Sequence, residues 1–330
     1  MHREPAPDTF PQMMESTARE DLETALAGAY TIVRETPQTA GFSTFSARSV
    51  SDGSTVEIKA VPVAVFAGSP LPAEADLAAR RVQHPNIVPV LGAGRYGSTF
   101  YWISAAIEGR TLRARLSRGG RMAIRDSLIV LRDISAALTH AHLHGIVHGG
   151  LSPDSILISG GSALLGDLGV AEVFAALRRQ GTSGTMIGSR AAEPLRYSAP
   201  EQASGARSDT RSDVYAWGAI GYELLSGRHP FAGRNTPREI MAAHSEEEPV
   251  QLTSGRAAAP AAVTRLVMRC LAKDPSSRPE SARECLAVMT KEMLVPPKSP
   301  PAGSGQKMII ALGAFAVLAI AAMAWISMNR

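Results

Sequence analysis

Four histidines at positions 140, 142, 144 and 148 are close enough in the sequence to form a candidate metal site. His140, His144 and His148 recur every four residues, so a continuous helix would present the three imidazoles on one face, where they could hold zinc. The chain's two cysteines form no Cys-x-x-Cys pair, so zinc would have to rely on histidine. Gly145 interrupts the helix that such a site requires, which weighs against a metal.

A second chemical signal is the scarcity of lysine. The chain has 34 basic residues, of which five are lysine, and Lys59 is the only lysine before Lys273. An ammonium on a flexible stem differs from a guanidinium in reach and hydration, so a site built for lysine is poorly filled by arginine. Lys59 therefore stands out among the basic residues of the chain. By contrast, we expect Arg178 and Arg179 to be solvated charges.

The composition excludes several classes of protein. With 330 residues, 45% of them hydrophobic and 19% charged, the chain is neither disordered nor short of a core. A net charge of +4 lacks the basic footprint of a nucleic-acid binder. Two cysteines exclude a disulfide scaffold.

The elements that must position these residues fall into two groups. Short β-type runs occupy the front of the chain, at residues 30–33, 56–65, 87–90 and 99–103. From Leu112 onward, apolar residues recur at three to four residues, as in helices. This pattern predicts an α+β fold in which a small sheet-rich part precedes a larger helical part.

Seven short motifs follow one another along the chain. They are Val-Glu-Ile-Lys (56–59), His-Pro-Asn-Ile-Val (84–88), His-Gly-Ile-Val-His (144–148), Asp-Leu-Gly (167–169), Ala-Pro-Glu-Gln (199–202), Asp-Val-Tyr-Ala-Trp-Gly (213–218) and Lys-Asp-Pro-Ser-Ser-Arg-Pro (273–279). Together, and in this order, they resemble the Hanks-type serine/threonine protein kinase domain of bacteria over residues 26–289. The resemblance implies a two-lobed fold, with a β-rich lobe over 26–105 and a helical lobe over 106–290. It also places the histidines at a helix end and in a packed loop, away from any metal.

The remaining segments are expected to flank that domain. Residues 1–25 are predicted to be a flexible lead-in, and residues 291–307, rich in proline and glycine, a linker. Residues 308–328 carry no charge and would span about 31 Å as a helix, enough to cross a bilayer. A buried core helix is the alternative for this last segment.

These segments imply a single-pass protein of the cell inner membrane or plasma membrane. The absence of an apolar leader favours a cytoplasmic kinase-like domain, with the C-terminus outside and no external sensor domain.

The resemblance implies that ATP and Mg²⁺ would bind around Lys59 and Asp167, with Asp167 as the metal ligand. Glu74 is the expected partner of Lys59, with Asp76 as the alternative. The glycine positions of the phosphate-binding loop fall on Pro37, Thr39 and Phe42, so phosphate binding there is not expected.

The catalytic loop has lost its reacting side chains. In place of the family's aspartate, lysine and asparagine stand Gly150, Ser152 and Ser155, and Asp154 is expected to point elsewhere. The structural positions are kept. By resemblance, these are His148, Gly169 and Asp213, together with the ion pair of Glu201 and Arg278.

This selective loss predicts a membrane-tethered pseudokinase rather than an enzyme. It would act as a scaffold or allosteric partner of an active kinase or of its substrates, and would contact the lipid bilayer through residues 308–328. Two alternatives stay open: a weakly active serine/threonine kinase, and a switch that responds to ATP without catalysis.

Overall fold

The computed structural model describes residues 18–39, 42–66, 82–119, 121–183, 195–252 and 259–294. The first lobe is built on a five-stranded antiparallel sheet with the order β1-β2-β3-β5-β4. Its strands are β1 (Tyr30–Thr39), β2 (Phe42–Ser49), β3 (Thr55–Pro62), β4 (Val90–Tyr96) and β5 (Thr99–Ala105), and a 3₁₀ turn (Val63–Phe66) follows β3. The predicted run at 87–90 is corrected, because Ile87 makes only an isolated bridge to Leu165 and the strand begins at Val90.

One face of this sheet is covered by a short helix, α1, over residues 18–25. Leu22 of α1 packs against Ile58 of β3 in the core of the lobe. The Asp21 carboxylate accepts hydrogen bonds from Ser98 N–H at 3.1 Å and Thr99 Oγ1 at 2.8 Å, in the turn between β4 and β5. The predicted lead-in over 1–25 is therefore corrected: from residue 18 the chain belongs to the sheet lobe.

The second lobe is mainly helical. Its helices are α2 (Leu112–Gly119), α3 (Ile124–Leu143), α4 (Ala171–Ser183), α5 (Pro200–Ala203), α6 (Thr210–Ser226), α7 (Pro237–Glu246), α8 (Ala261–Cys270) and α9 (Ala282–Leu294). A small sheet is formed by β6 (Arg110–Thr111), β7 (Ile156–Ser159) and β8 (Ser162–Leu165). Strand β6 comes just before α2 in the chain, whereas β7 and β8 lie between α3 and α4. The predicted order of a sheet-rich lobe followed by a helical lobe is confirmed.

Helix α6 lies at the centre of the helical lobe, buried along most of its length. The Asp209 carboxylate caps its N-terminus by accepting from the N–H groups of Arg211 and Ser212. A Cβ at Gly218 would lie 2.5 Å from Cys270 Cβ, so glycine is what lets α6 approach α8. The indole N–H of Trp217 donates to Leu131 O of α3 at 3.0 Å. These contacts make α6 the fixed support for the loop after α3.

The first of two compact units in the chain ends at Glu292, and the second lies almost entirely outside the described residues. Helix α9 continues to Leu294, so the predicted linker cannot begin at 291. In the described ranges, no helix combines the length and apolarity needed to cross a membrane. Residues 308–328, the predicted membrane segment, lie outside the described residues.

Candidate functional site

The loop that follows α3 is anchored by one carboxylate of α6. Asp213 is 1% exposed and accepts from His148 N–H and Gly149 N–H, each at 2.8 Å. His142 Nε2 lies 2.8 Å from the same carboxylate. A buried carboxylate is stable when donors surround it in this way, so Asp213 fixes the start of the loop.

His148 is a structural residue of this loop. Its Nε2 lies 3.0 Å from Gly166 O, and its Nδ1 accepts from Gly150 N–H at 3.2 Å. Burial lowers the pKa of His148, which favours the neutral ring that these two contacts require. No group of three potential metal ligands occurs anywhere in the described ranges. The rings of His140 and His144 instead pack against each other, with 4.6 Å between their centroids.

The space beside Gly150 is filled by an aromatic ring. A Cβ built on Gly150 would lie 2.1 Å from Cγ of Phe174, which belongs to α4. The Phe174 ring also stacks on His148, with 5.7 Å between centroids. With α4 in this position, no residue larger than glycine fits at 150.

Helix α4 lies between the two lobes and contacts both. Its apolar side chains pack against the sheet lobe, where Val173, Phe174 and Leu177 join a cluster that includes Phe100 and Trp102. Toward the helical lobe, its Phe174 contacts the loop at Gly150. The helix therefore covers the part of the loop where a reacting side chain would have to project.

Helix α4 is held in place by Arg178, which was expected to be a solvated charge. Arg178 is 5% exposed and donates to Gly149 O at 2.6 Å and to Ser208 Oγ at 3.2 Å. Burial, and then the charge of Arg179, lower the pKa of Arg178 to about 10, so the guanidinium stays protonated at neutral pH. Arg179 is exposed. The expectation of a solvated pair is thus wrong for Arg178, because the apolar face of α4 draws it inward.

Three polar residues further along the loop, Ser152, Asp154 and Ser155, all form hydrogen bonds within the protein. Ser155 Oγ donates to Ser152 O at 2.9 Å and accepts from Ser152 N–H at 3.1 Å, which closes a tight turn. The Asp154 carboxylate accepts from Arg113 Nε of α2 at 3.2 Å. Asp154 is therefore held toward α2.

Lys59 and Asp167 meet in the cleft between the lobes. Lys59 Nζ donates to both carboxylate oxygens of Asp167 at 2.7 Å, and Trp102 Nε1 donates to Asp167 Oδ1 at 3.2 Å. Burial lowers the pKa of Lys59, but attraction to Asp167 and then to Glu57, whose Oε1 lies 3.4 Å away, more than offsets it and raises the pKa. The pair is therefore a charged, mutually neutralising contact.

Phe42 closes one end of the cleft. Its ring centroid lies 5.1 Å from Lys59 Nζ, and its edge packs on Trp102 with 5.5 Å between centroids. Only 3% of Phe42 is exposed. Pro37 and Thr39 lie in β1, whereas Glu74 and Asp76 fall outside the described residues.

The rest of the cleft is a cavity of about 260 Å³. Apolar side chains and hydroxyl groups line it together with the charged residues already described. They are Thr36, Phe42, Thr44, Glu57, Lys59, Val88, Ser104, Ala105, Ile107, Thr111, Asp154, Ser155, Leu157, Gly166 and Asp167.

This residue set fits a magnesium–phosphate group poorly. Mg²⁺ takes oxygen ligands in an octahedron, commonly one or two carboxylates with phosphate oxygens and water. Both oxygens of Asp167 already accept from Lys59 and one also from Trp102, and the Ser155 hydroxyl is bound to Ser152. No step is therefore assigned to a metal at this site.

The base of the helical lobe keeps an ion pair. Arg278 Nη1 and Nη2 donate to the two Glu201 oxygens at 2.7 and 2.8 Å, and the Arg278 side chain is fully buried. Gly169, after Asp167 and Leu168, has a φ of 87°, which glycine adopts without strain. The residues predicted to be structural are thus hydrogen-bonded or suited to their backbone.

Comparison with known families gives a match over most of the domain. Residues 42–289 match the model described as "Protein kinase domain". The chain is 31% identical to the serine/threonine-protein kinase PrkC of Bacillus subtilis over 207 residues, which are 62% of this chain and 31% of that protein. It is 33% identical to PknB of Mycolicibacterium smegmatis over 215 residues, 63% of this chain and 33% of the relative.

A third relative matches a longer segment. The serine/threonine-protein kinase pkn2 of Myxococcus xanthus is 34% identical over 243 residues, 68% of this chain and 28% of that protein. In each case the chain spans about a third or less of the length of the curated relative.

Proposed function

This chain belongs to the bacterial serine/threonine protein kinase domain family, and from that premise we propose that it is a pseudokinase, a kinase fold that binds partners without transferring phosphate. Its partner would be another protein, either an active kinase or a substrate of one. Residues 308–328 would tether the domain to the cell inner membrane or plasma membrane, with the domain on the cytoplasmic side.

One observation supports this proposal above the others: Phe174 occupies the space that a side chain at Gly150 would need. A general base must lie within hydrogen-bond reach of the proton that it removes. Glycine offers no such group, and Asp154 of the same loop is bound to Arg113. Proton removal from an acceptor hydroxyl therefore has no base in this loop.

The absence of catalysis is tested by radiolabel transfer. The purified full chain is incubated with γ-labelled ATP, Mg²⁺ and a generic acceptor protein, beside the Lys59→Ala variant. We expect equal background labelling from both. Labelling of the acceptor or of the chain itself that disappears in Lys59→Ala would overturn the proposal.

A second candidate function, a weakly active kinase, is favoured by the contact between Lys59 and Asp167 and by the similarity to proteins named as kinases. Loss of a positioned general base costs about 10²- to 10⁴-fold in rate, so any residual transfer would be slow. Gly150→Asp combined with Phe174→Ala would then raise transfer by a factor in that range. In a pseudokinase without a phosphate site, the double variant stays inactive.

The tether is tested separately by fractionation. A chain that ends before Met308 is expected in the soluble fraction, whereas the full chain sediments with membranes. Membrane association of the shortened chain would show that another surface carries the attachment.

A further inference from the structure

The guanidinium of Arg178 is a buried charge without a counter-charge. Arg178 is 5% exposed and donates only to neutral oxygens, Gly149 O at 2.6 Å and Ser208 Oγ at 3.2 Å. Within the part of the chain that the structure describes, it forms no ion pair, and the carboxylate of Asp213 is bound to the N–H groups of His148 and Gly149. A buried charge without a partner costs free energy. An anion brought to this guanidinium would therefore stabilise the protein.

Ser208 is the residue best placed to carry that anion. Its Oγ accepts from Arg178 Nη2 at 3.2 Å and from Gln202 Nε2 at 2.7 Å, so two donors already point at it. Among the described residues, its own O–H donates to no acceptor, and replacing that hydrogen with a phosphoryl group breaks no hydrogen bond. The phosphoryl group would offer three strong acceptor oxygens to these donors.

The chain around Ser208 is open to an enzyme. Residues 204–207 are exposed, Ser208 is half-buried, and residues 206–209 form neither helix nor strand. Irregular surface segments of this kind are where other proteins most easily gain access to a chain. The hydroxyl of Ser208 therefore lies where an exposed loop meets a buried cation.

The charges beside Ser208 tolerate a phosphate. Asp209 follows directly, but its carboxylate is already engaged as the cap of α6, and the exposed Arg207 precedes it. Helix α6 begins at Thr210, and the N-terminus of a helix favours negative charge. With Arg178, two cations and the helix N-terminus stand against the one carboxylate.

We propose that Ser208 is a phosphorylation site and that Arg178 binds the phosphate. An active serine/threonine kinase would supply the γ-phosphoryl group of ATP. The bond from the γ-phosphorus to its bridging oxygen breaks, a bond to Ser208 Oγ forms, the hydroxyl proton goes to the base of that kinase, and ADP leaves. The phosphate, with a charge of about −1.5 to −2, then makes charge-assisted hydrogen bonds to the Arg178 guanidinium.

The modification would hold α4 more firmly against the loop. Arg178 lies one turn along α4 from Phe174, the ring that fills the space beside Gly150. The inference rests on the proposed function, because it takes the partner to be an active kinase. It deepens that function by making this chain a substrate whose phosphorylation keeps Gly150 covered.

The test compares the full chain carrying phosphoserine at position 208, installed during translation, with the unmodified chain. We expect the melting temperature to rise by about 3 °C or more. Amide exchange over α4, residues 171–183, is expected to slow by at least about fivefold. A melting temperature that stays the same or falls would overturn the inference.

Two matched controls locate the cause of the shift. Phosphoserine at Ser204, an exposed residue of the same loop whose Oγ donates to Glu201 O, should change the melting temperature by less than about 1 °C. In the Arg178→Met chain, phosphoserine at 208 should likewise change it by less than about 1 °C. An equal rise with phosphate at either position, or with Arg178 removed, would contradict the role given to the guanidinium.

A third arm separates the modification from a free anion. Inorganic phosphate at millimolar concentration should raise the melting temperature of the unmodified chain by less than about 1 °C. A rise equal to that of phosphoserine 208, lost in Arg178→Met, would show a site for free phosphate and overturn the assignment to Ser208.

Occupancy is tested on the chain purified from its own cells. Cleavage after glutamate releases residues 202–223, because the glutamates of this region are Glu201 and Glu223, and mass spectrometry then locates any phosphate. Phosphate on Ser208 is expected, and its absence or its presence only elsewhere in this fragment would overturn the inference. These measurements use no phosphoryl transfer by this chain, so their failure is distinguishable from that of the pseudokinase proposal.

Discussion

Two adjacent parts of the loop after α3 have opposite characters. At the start, Asp213 holds the N–H groups of His148 and Gly149 at 2.8 Å. At Gly150 there is no side chain at all, and Phe174 fills the space. The loop is therefore anchored directly beside a position that offers no functional group.

This difference teaches that support and chemistry are separable in the kinase fold. Asp213 is buried and satisfies several donors, so its loss would leave unpaired polar groups inside the protein. A catalytic side chain makes few contacts in the folded state, so its removal costs little stability and leaves space that an apolar ring can occupy. The architecture around Asp213 is therefore preserved although Gly150 carries no side chain.

The largest expected effect comes from breaking the anchor. Asp213→Asn places an amide N–H among donors, and we expect the free energy of unfolding to fall by about 3 kcal/mol. Urea denaturation of the full chain measures this. Asp209→Asn is the control, because Asp209 is an exposed cap of the same helix and asparagine caps helices equally well, so less than about 0.5 kcal/mol should be lost. Equal losses of stability in the two variants would contradict the anchoring role of Asp213.

The second-largest effect on stability is expected from removing the Arg178 side chain of α4. Arg178→Met removes a buried guanidinium that donates to Gly149 O, and Gln202 Nε2 still donates to that carbonyl at 3.1 Å. We therefore expect a loss of about 1 to 2 kcal/mol in the free energy of unfolding. The neighbouring Arg179→Met should cost less than about 0.5 kcal/mol, since Arg179 is exposed. If the two variants unfold at the same urea concentration, Arg178 does not fasten α4.

A smaller effect is expected from pH, through two buried histidines of the helical lobe. Burial lowers the pKa of His229 to about 4 and of His244 to about 3, and both rings contact Arg196 O, at 2.7 and 2.8 Å. The unfolded chain binds these protons near the ordinary pKa of about 6.5, so it gains protons first as the pH falls. The free energy of unfolding should be full above that pH and fall by on the order of 1 kcal/mol between about pH 6.5 and 5.5.

Urea denaturation at the two pH values tests this, with His244→Gln as the variant whose slope should be shallower. A free energy that stays constant, or that increases as the pH falls, would contradict the buried neutral state of these rings.

Much of the fold was predictable, partly from local periodicity and partly from the resemblance that the motifs carry. The motif order gave the two lobes, the helical periodicity began at Leu112 as observed, and the pairing of Glu201 with Arg278 followed from the resemblance. Helix α1 was not predicted, because its contacts with the sheet depend on Leu22 meeting Ile58, a distant pairing that no local pattern encodes.

The site was less predictable at α4. The apolar residues Val173, Phe174 and Leu177 have helical spacing, a signal that was present but was not used. Their partner surface comes from Phe100 and Trp102 of the other lobe, and the burial of Arg178 follows from that docking. The meeting of Lys59 and Asp167, 108 residues apart, was reachable only through the resemblance.

The central claim, that Phe174 occupies the place of a side chain at Gly150, is tested most directly by a double-mutant cycle. Gly150 does not have a positive φ, so an alanine there is opposed by the ring rather than by the backbone. We predict that Gly150→Ala lowers the free energy of unfolding by about 1 to 3 kcal/mol in the wild-type chain and by less than about 0.5 kcal/mol in Phe174→Ala. The same cost in both backgrounds would contradict the account.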